Sequence, residues 1–213
     1  MVLKGKEKDS KETGQSGWME FLDCLKTFIV VALIFFVVFK FIAAPVRIVG
    51  HSMDPTLADG ELGLTGIVQN FFKSAERQEI VVLTMKDENG KETQWVKRII
   101  GLPGETIQGK DGKVYVNGEL LDESAYLDTE FVKEYEAGTL PNSYEHSFQS
   151  DFGPVTLGED QYFVMGDNRP NSKDSRDPSV GPVSREDILG TGIMVLYPFN
   201  EFVVKNERKI GRK

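Results

Sequence analysis

Residues 49–61, VGHSMDPTLADGE, place a possible nucleophile, Ser52, between His51 and Met53, just before a proline turn. A serine hydroxyl is a weak nucleophile until a neighbouring base takes its proton. Histidine is the usual base, but adjacent side chains of an extended segment point to opposite faces, so His51 is directed away from Ser52. His146 has no obvious acidic partner. The pattern therefore gives little support for a Ser-His-Asp triad.

A neutral lysine can also act as the base, and burial is the usual means of removing its charge. Lowering a lysine pKa by about three units costs roughly 4 kcal/mol, which a fully desolvated site can supply. In residues 93–100, TQWVKRII, strand alternation places Lys97 on one face with Trp95 and Ile99, and Arg98 on the other. Lys97 is a candidate base. The alternative is a lysine on a half-buried sheet whose stem carries the ammonium to solvent.

No serine is followed three positions later by lysine, so a Ser–Lys pair must be assembled from distant strands. A third polar segment, residues 165–177, MGDNRPNSKDSRD, could support such a pair. Its acids alternate with arginines, which favours internal ion pairs over a metal loop. Cys24 is the single cysteine and the chain has two histidines, so we expect no metal site, no cofactor and no internal disulfide.

Residues 21–44 predict a transmembrane helix. Residues 28–39 form an unbroken run of twelve apolar residues, and the flanks extend it to the roughly 20 residues that a span needs. Four lysines precede the segment 21–44 and only Arg47 follows it closely, which favours a cytoplasmic N-terminus: Lys4, Lys6, Lys8 and Lys11. The competing interpretations are a cleaved secretory signal, because FIAAP ends in small residues, and a buried soluble helix.

This assignment divides the chain into a cytoplasmic tail at 1–20, the helix at 21–44, and an extracytoplasmic catalytic domain at 45–213 on the outer face of the cell membrane. Residues 1–17 are polar and predict disorder. The formal net charge of −8 makes nucleic acid an unlikely partner. The basic C-terminal cluster is either a solvated tail or a surface that touches anionic lipid: Lys205, Arg208, Lys209, Arg212 and Lys213.

The chain after Pro45 predicts a mainly β fold of antiparallel sheets. The pairs Asn89-Gly90 and Asn117-Gly118 suit hairpin turns with positive φ. Residues 109–158 are acidic and aromatic and predict a smaller inserted subdomain. The strand candidates are residues 79–85, 93–100, 113–121, 155–166 and 191–199.

The three segments, in this order and after a membrane anchor, resemble the type I signal peptidases, membrane-bound serine proteases that remove signal peptides from exported proteins. GHSMDPTL resembles the nucleophile box, VKRIIGLPGE the lysine box and GDNRPNSKDSR the third box. The resemblance covers most of the chain after Pro45 except residues 109–158. It implies a β-rich catalytic core with an inserted domain, and preprotein substrates with small residues before the cleavage site.

The resemblance also implies roles for individual residues. Ser52 is the nucleophile and Lys97 the general base, while Ser172 hydrogen-bonds the Lys97 amine. Asp174 pairs with Arg176 to hold the loop, and Asp167 is a further structural acid.

One position departs from some members of the family, which place a serine hydroxyl two residues before the nucleophile as an oxyanion donor. Here that position is Gly50. The oxyanion hole then relies on backbone N–H groups, including that of Ser52. Gly50 and Met53 are the candidates for the hole or for close approach of the substrate.

Two other functions fit parts of the pattern. A self-cleaving repressor shares a Ser–Lys dyad, but it lacks a membrane span and carries a DNA-binding module that this sequence does not show. A catalytically silent relative could act as an assembly factor for surface structures, although the presence of both Ser52 and Lys97 argues against this.

Overall fold

The computed structural model describes residues 9–67, 74–86, 89–127, 129–139, 150–198 and 203–205. It divides into two compact units, Met1–Ile42 and Ala43–Lys213. His146 lies outside the described residues, as do the side chains of the basic C-terminal cluster.

The first unit is a single long helix, α1, Asp9–Val37, which continues through a π-helical turn at Val38–Ile42. Its segment Gly17–Ile42 is long and apolar enough to cross a membrane. The predicted disorder of residues 1–17 is wrong for the part from Asp9 onward. Extending an existing helix fixes one residue per hydrogen bond, so a polar segment can continue a helix that it could not nucleate.

The helix ends two residues before the predicted boundary at Ala44. Strand β1, Ala43–Arg47, begins directly after it and pairs with β2, Leu62–Gly66. Pro45 disfavours helical backbone at the residue before it, which explains why the chain changes conformation here.

Within the described residues, a sheet of eight strands forms the larger part of the second unit, with the order β1-β2-β11-β3-β4-β9-β10, and with β12 paired to β11. All of its pairings are antiparallel. The other strands are β3, Ile80–Lys86; β4, Glu92–Gly101; β9, Gln161–Met165; β10, Val183–Ser184; β11, Ile188–Tyr197; and β12, Val203–Lys205.

A second antiparallel sheet has the order β7-β6-β5-β8 in the part of the chain that the structure describes. Its strands are β5, Thr106–Lys110; β6, Lys113–Val116; β7, Glu119–Leu120; and β8, Phe152–Thr156. A short helix, α2, Thr129–Glu136, lies between β7 and β8. These elements occupy nearly the same residues as the predicted subdomain at 109–158.

The mainly β fold with an N-terminal apolar helix is confirmed. Asn117 and Gly118 have φ of 53° and 84°, as a hairpin turn of this type requires. The single strand expected at 155–166 is wrong, because a turn closed by Gln161 N–H donating to the Gly158 carbonyl separates β8 from β9. The two strands belong to different sheets.

Candidate active site

Ser52 lies in a turn between β1 and β2 that two buried side chains hold against the larger sheet. Met53 and Leu57 belong to the hydrophobic core beside Val46, Ile80 and Val195. The Leu57 N–H donates to the Met53 carbonyl at 2.9 Å, which closes the turn. The turn therefore places the Ser52 hydroxyl over the sheet.

Lys97 lies in β4, opposite Val81 of β3. Its side chain is 5% exposed, and its Nζ lies 5.7 Å from the centre of the Trp95 ring. Nζ donates a hydrogen bond to Ser52 Oγ at 2.9 Å. The fold thus brings together two residues that are 45 positions apart in the sequence.

The surroundings lower the pKa of Lys97 from 10.5 to about 8, and burial is the largest cause. The charge of Arg176 also acts to lower this pKa, whereas Asp174 and Asp167 oppose the shift by stabilising the ammonium. A lysine with this pKa is neutral in a substantial fraction of molecules near neutral pH, so it can accept a proton from a hydroxyl within hydrogen-bond distance.

Arg98, the neighbour of Lys97, points to the opposite face and pairs with Asp167. Its Nε and Nη2 donate to the two carboxylate oxygens at 2.8 and 2.7 Å, and both side chains are buried. Thr56 Oγ1 donates to the same carboxylate. Asp167 therefore connects β4 to the turn that carries Ser52.

Asp174 and Arg176 form a second bidentate ion pair. Arg176 Nε and Nη2 donate to the Asp174 carboxylate, both at 2.8 Å. The Gly166 N–H donates to Asp174 at 2.9 Å. Burial raises the pKa of Asp174, but the hydrogen bonds and charge of Arg176 outweigh it and hold the pKa below its ordinary value. Asp174 thus stays ionised and fixes the loop.

The model of the family described as "Signal peptidase, peptidase S26" matches residues 21–197. The chain belongs to the peptidase S26 family of signal peptidases. It is 38% identical to "Signal peptidase I" of Bacillus amyloliquefaciens over 92% of this chain and 95% of that one. It is also 38% identical to "Signal peptidase I S" of Bacillus subtilis (strain 168), over 84% of this chain and 91% of the relative. A crystal structure of a signal peptidase I from Enterococcus faecalis V583 is 30% identical and covers 56% of this chain and 97% of that one, with a TM-score of 0.42.

The structure does not form the hydrogen bond that the signal peptidase resemblance implies between Ser172 and the Lys97 amine. Ser172 Oγ is buried near Asp174 and makes no hydrogen bond of normal geometry with the described residues. The Lys97 amine instead donates a hydrogen bond to Ser52 Oγ. Strand spacing cannot predict this, because Ser172 follows a short 3-10 turn at Arg169–Asn171.

Gly50 and Met53, the two candidates for the oxyanion hole, differ in what they leave open to a substrate. The Gly50 N–H donates to Asp59 Oδ1 at 2.8 Å, and its φ of 89° requires glycine. The Met53 side chain is 1% exposed and packs in the core, so a contact with substrate is open only to its backbone. His51 Nδ1 lies 2.9 Å from Asp54 Oδ2, on an exposed surface.

Sequence reasoning missed Gly166, although it lies in the third polar segment. A Cβ at this position would lie 2.3 Å from the Ser52 carbonyl oxygen and 2.4 Å from Ser172 Oγ. Glycine therefore allows β9 and its loop to approach the nucleophile turn. A glycine at the end of an apolar strand was the available signal.

The link from the second sheet to this loop was also missed. Arg169 is buried, and its guanidinium donates to the carboxylate of Glu123, which follows β7. Tyr126 Oη donates to the same carboxylate at 2.7 Å, and its ring lies 4.3 Å below the Arg98 guanidinium. No local pattern in the sequence points to a contact between residues 46 positions apart.

Proposed function

We propose that this protein is a membrane-anchored serine endopeptidase that cleaves N-terminal signal peptides from exported preproteins. The observation that carries the proposal is the 2.9 Å hydrogen bond from the buried Lys97 amine to Ser52 Oγ in a chain of the signal peptidase family. Ser52 is the nucleophile and Lys97 the general base.

The reaction begins when Ser52 Oγ attacks the carbonyl carbon of the scissile peptide bond. Neutral Lys97 accepts the hydroxyl proton, and the carbonyl oxygen takes the electron pair and becomes an oxyanion. The Lys97 ammonium then protonates the leaving amine, which departs as the C–N bond breaks. Water enters, loses a proton to Lys97 and attacks the ester carbon of the acyl-enzyme. The bond from this carbon to Ser52 Oγ then breaks, Oγ takes the proton back from the Lys97 ammonium, and the signal peptide leaves with a new carboxylate.

The two ion pairs prepare Lys97 for this role. Asp174 and Arg176 fix the loop whose charges act on the amine, and Arg98 and Asp167 tie β4 to the nucleophile turn. Arg176 keeps a positive charge near the amine, which favours the neutral lysine. These residues therefore support the geometry, and Arg176 also favours the lowered pKa, but none of them takes part in bond changes.

The helix Gly17–Ile42 anchors the enzyme in the cell membrane. The lysines before it place the N-terminus in the cytoplasm and the catalytic domain on the outer face. A signal peptide held in the same membrane has its cleavage site near the bilayer surface, which raises the effective concentration of substrate. The substrate lies extended, with small residues at the first and third positions before the cut.

Cleavage of a preprotein by the purified full-length chain in detergent tests the proposal. The wild type is expected to release the mature protein, and Ser52→Ala and Lys97→Met each to lower the rate by about 10³-fold or more. Undiminished processing by either variant would refute the dyad. A wild-type chain that cleaves no preprotein would instead fit the silent assembly factor.

A further inference from the structure

A single residue of the third polar segment, Asn168, donates hydrogen bonds to the carbonyl groups of both His51 and Ser52. Asn168 Nδ2 donates to the His51 carbonyl at 2.9 Å. The Asn168 backbone N–H donates to the Ser52 carbonyl at 3.1 Å. Asn168 is 4% exposed, so solvent does not compete for these bonds. Asn168 therefore contacts two consecutive peptide units of the nucleophile turn, and the His51 carbonyl also accepts a longer bond from the Asp54 N–H at 3.3 Å.

The direction of these carbonyls determines the direction of the next two N–H groups. The peptide bonds from His51 to Ser52 and from Ser52 to Met53 are trans. In a planar trans peptide the N–H points opposite to the C=O. Because both carbonyls face Asn168, the N–H groups of Ser52 and Met53 point away from it. Neither N–H makes a hydrogen bond with the described part of the chain.

Asn168 is itself held firmly. Its carbonyl accepts from the Asn171 N–H at 3.1 Å, and the next residue, Arg169, is buried and paired with Glu123. Asn168 Oδ1 has no hydrogen-bond partner among the described residues. The side chain therefore has one described hydrogen bond, the one that it donates to His51, and a substitution can remove this bond alone.

We propose that Asn168 is a positioning residue that orients the Ser52 and Met53 N–H groups as the donors of the oxyanion hole. The inference rests on the proposed acyl transfer at Ser52. Asn168 acts through the two peptide units and does not touch the substrate. Donors that are already oriented stabilise the oxyanion without reorganising during the reaction. The arrangement also supplies a second donor, Met53 N–H, where Gly50 N–H is occupied by Asp59.

A pair of matched peptides tests this role in the full-length protein. One peptide carries the sequence before a signal-peptide cleavage site and ends in an aldehyde, and the other ends in the corresponding alcohol. Ser52 Oγ adds to the aldehyde carbon and passes its proton to Lys97, which leaves an oxyanion on the former carbonyl oxygen. The alcohol binds in the same place but forms no oxyanion. The ratio of the two inhibition constants therefore reports on the oxyanion hole.

Asn168→Leu, which keeps the size and the backbone bond but removes the amide donor, is expected to weaken aldehyde binding and to lower kcat about tenfold or more. KM and alcohol binding are expected to change less than about twofold. Asn168→Asp, which also lacks the donor, provides a second variant of nearly identical shape should the leucine variant fold poorly. Aldehyde binding equal to wild type in a folded variant would overturn the inference.

Ser175→Ala is the control for general loosening of the loop. Ser175 is equally buried, and its Oγ accepts from the Val164 N–H at 3.0 Å, so the variant also loses one buried hydrogen bond. It is expected to keep the aldehyde preference; a loss like that of the Asn168 variants would overturn the inference. If the wild type shows no aldehyde preference and cleaves no preprotein, the proposed function fails with it. If the wild type cleaves preprotein and the Asn168 variants bind the aldehyde as tightly as the wild type does, the inference about Asn168 fails and the proposed function stands.

Discussion

Lys97 must lose its ammonium proton before it can act as a base, and the site supplies this by excluding water. At pH 7 a lysine with a pKa near 8 is neutral in about one molecule in ten, compared with about one in 3,000 at a pKa of 10.5. The lower pKa therefore increases the fraction of neutral Lys97 at pH 7 by roughly several hundred-fold. The Trp95 ring, whose centre lies 5.7 Å from Lys97 Nζ, is one of the apolar groups beside the amine.

The activity of the wild type should depend on pH with the profile of this lysine. We expect kcat/KM for a soluble peptide to rise with pH and to level off above about 8, because the neutral amine is the active form. Initial rates from pH 6 to pH 10 measure the profile. A plateau that begins below pH 6 would contradict the assignment of Lys97 as the base.

Burial of this amine should also reduce stability. The folded pKa lies below the unfolded one, so the unfolded chain binds the proton more tightly. The resulting cost is fully present below about pH 8 and disappears as the pH rises towards 10.5. Lys97→Met is therefore expected to raise the free energy of unfolding by about 1–3 kcal/mol at pH 7.

Urea unfolding at pH 7 and at pH 10 measures this difference, which should shrink at the higher pH. Lys113→Met, at an exposed position of β6, is the control and should change the free energy of unfolding by less than about 0.5 kcal/mol. A Lys97→Met variant less stable than wild type at both pH values would show that the amine is not destabilising.

Ser52 and Lys97 could be proposed as a pair from the sequence because their chemistry and their surrounding motifs are local. Their distance from each other could not, since strand alternation gives the face of a side chain but not the partner across the sheet. Asn168 shows the limit of local reasoning. Its side-chain bond joins segments 117 positions apart, and nothing in the spacing of the third polar segment distinguishes it from Asn171.

At the scale of the elements, Glu123, which follows β7 of the second sheet, contacts Arg169 in the third polar segment. This carboxylate accepts from Arg169 and Tyr126, while the Arg169 backbone carbonyl accepts from Arg176 Nη2 at 2.6 Å. The charge of Glu123 helps to raise the pKa of Arg169, although burial opposes it. A path of hydrogen bonds therefore runs from the segment after β7 to Arg176, whose charge acts on Lys97.

Loss of this carboxylate should affect both stability and activity. Glu123→Ala leaves the Arg169 guanidinium buried without its acidic partner, and we expect a loss of about 3–5 kcal/mol in the free energy of unfolding. We also expect a lower kcat because the loop is no longer held. Denaturant unfolding and peptide cleavage measure the two effects.

Glu119→Ala is the matched control, since Glu119 lies four positions earlier on the exposed edge strand β7. It should leave both quantities nearly unchanged. Equal stability of the Glu123→Ala and Glu119→Ala variants would mean that the buried ion pair does not couple the second sheet to the loop.

The elements themselves were largely predictable where their signals are local. Strands β3 and β4 follow from apolar and β-branched residues, and the β6-β7 hairpin from Asn117-Gly118. The separation of β8 from β9 was not predictable, because sheet membership depends on partners distant in the chain. The start of α1 was misjudged since composition reports on folding of an isolated segment, not on extension of a helix that already exists.

At the scale of the whole molecule, the chain divides at Ile42 into the helix and the β unit. The β unit contains every residue of the proposed dyad and its supporting ion pairs. Removal of residues 1–42 is therefore expected to leave cleavage of a soluble peptide within about threefold of wild type. Cleavage of a preprotein inserted in lipid vesicles should fall by more than about tenfold, because the membrane no longer concentrates enzyme with substrate.

Rate measurements on both substrates separate these effects, with the same truncation carrying Ser52→Ala as the inactive control. Equal losses on the soluble peptide and on the vesicle-bound preprotein would show that residues 1–42 support the fold of the β unit rather than its access to membrane substrates.

The direct passage from the helix into β1 limits where such an enzyme can work. Ser52 lies ten positions after Ile42, and a fully extended chain of ten residues spans at most about 35 Å. The nucleophile can thus never be farther than this from the end of its own anchor. An otherwise suitable cleavage site displaced beyond that reach, for example by a rigid spacer after the signal peptide, should remain uncut however well its sequence fits.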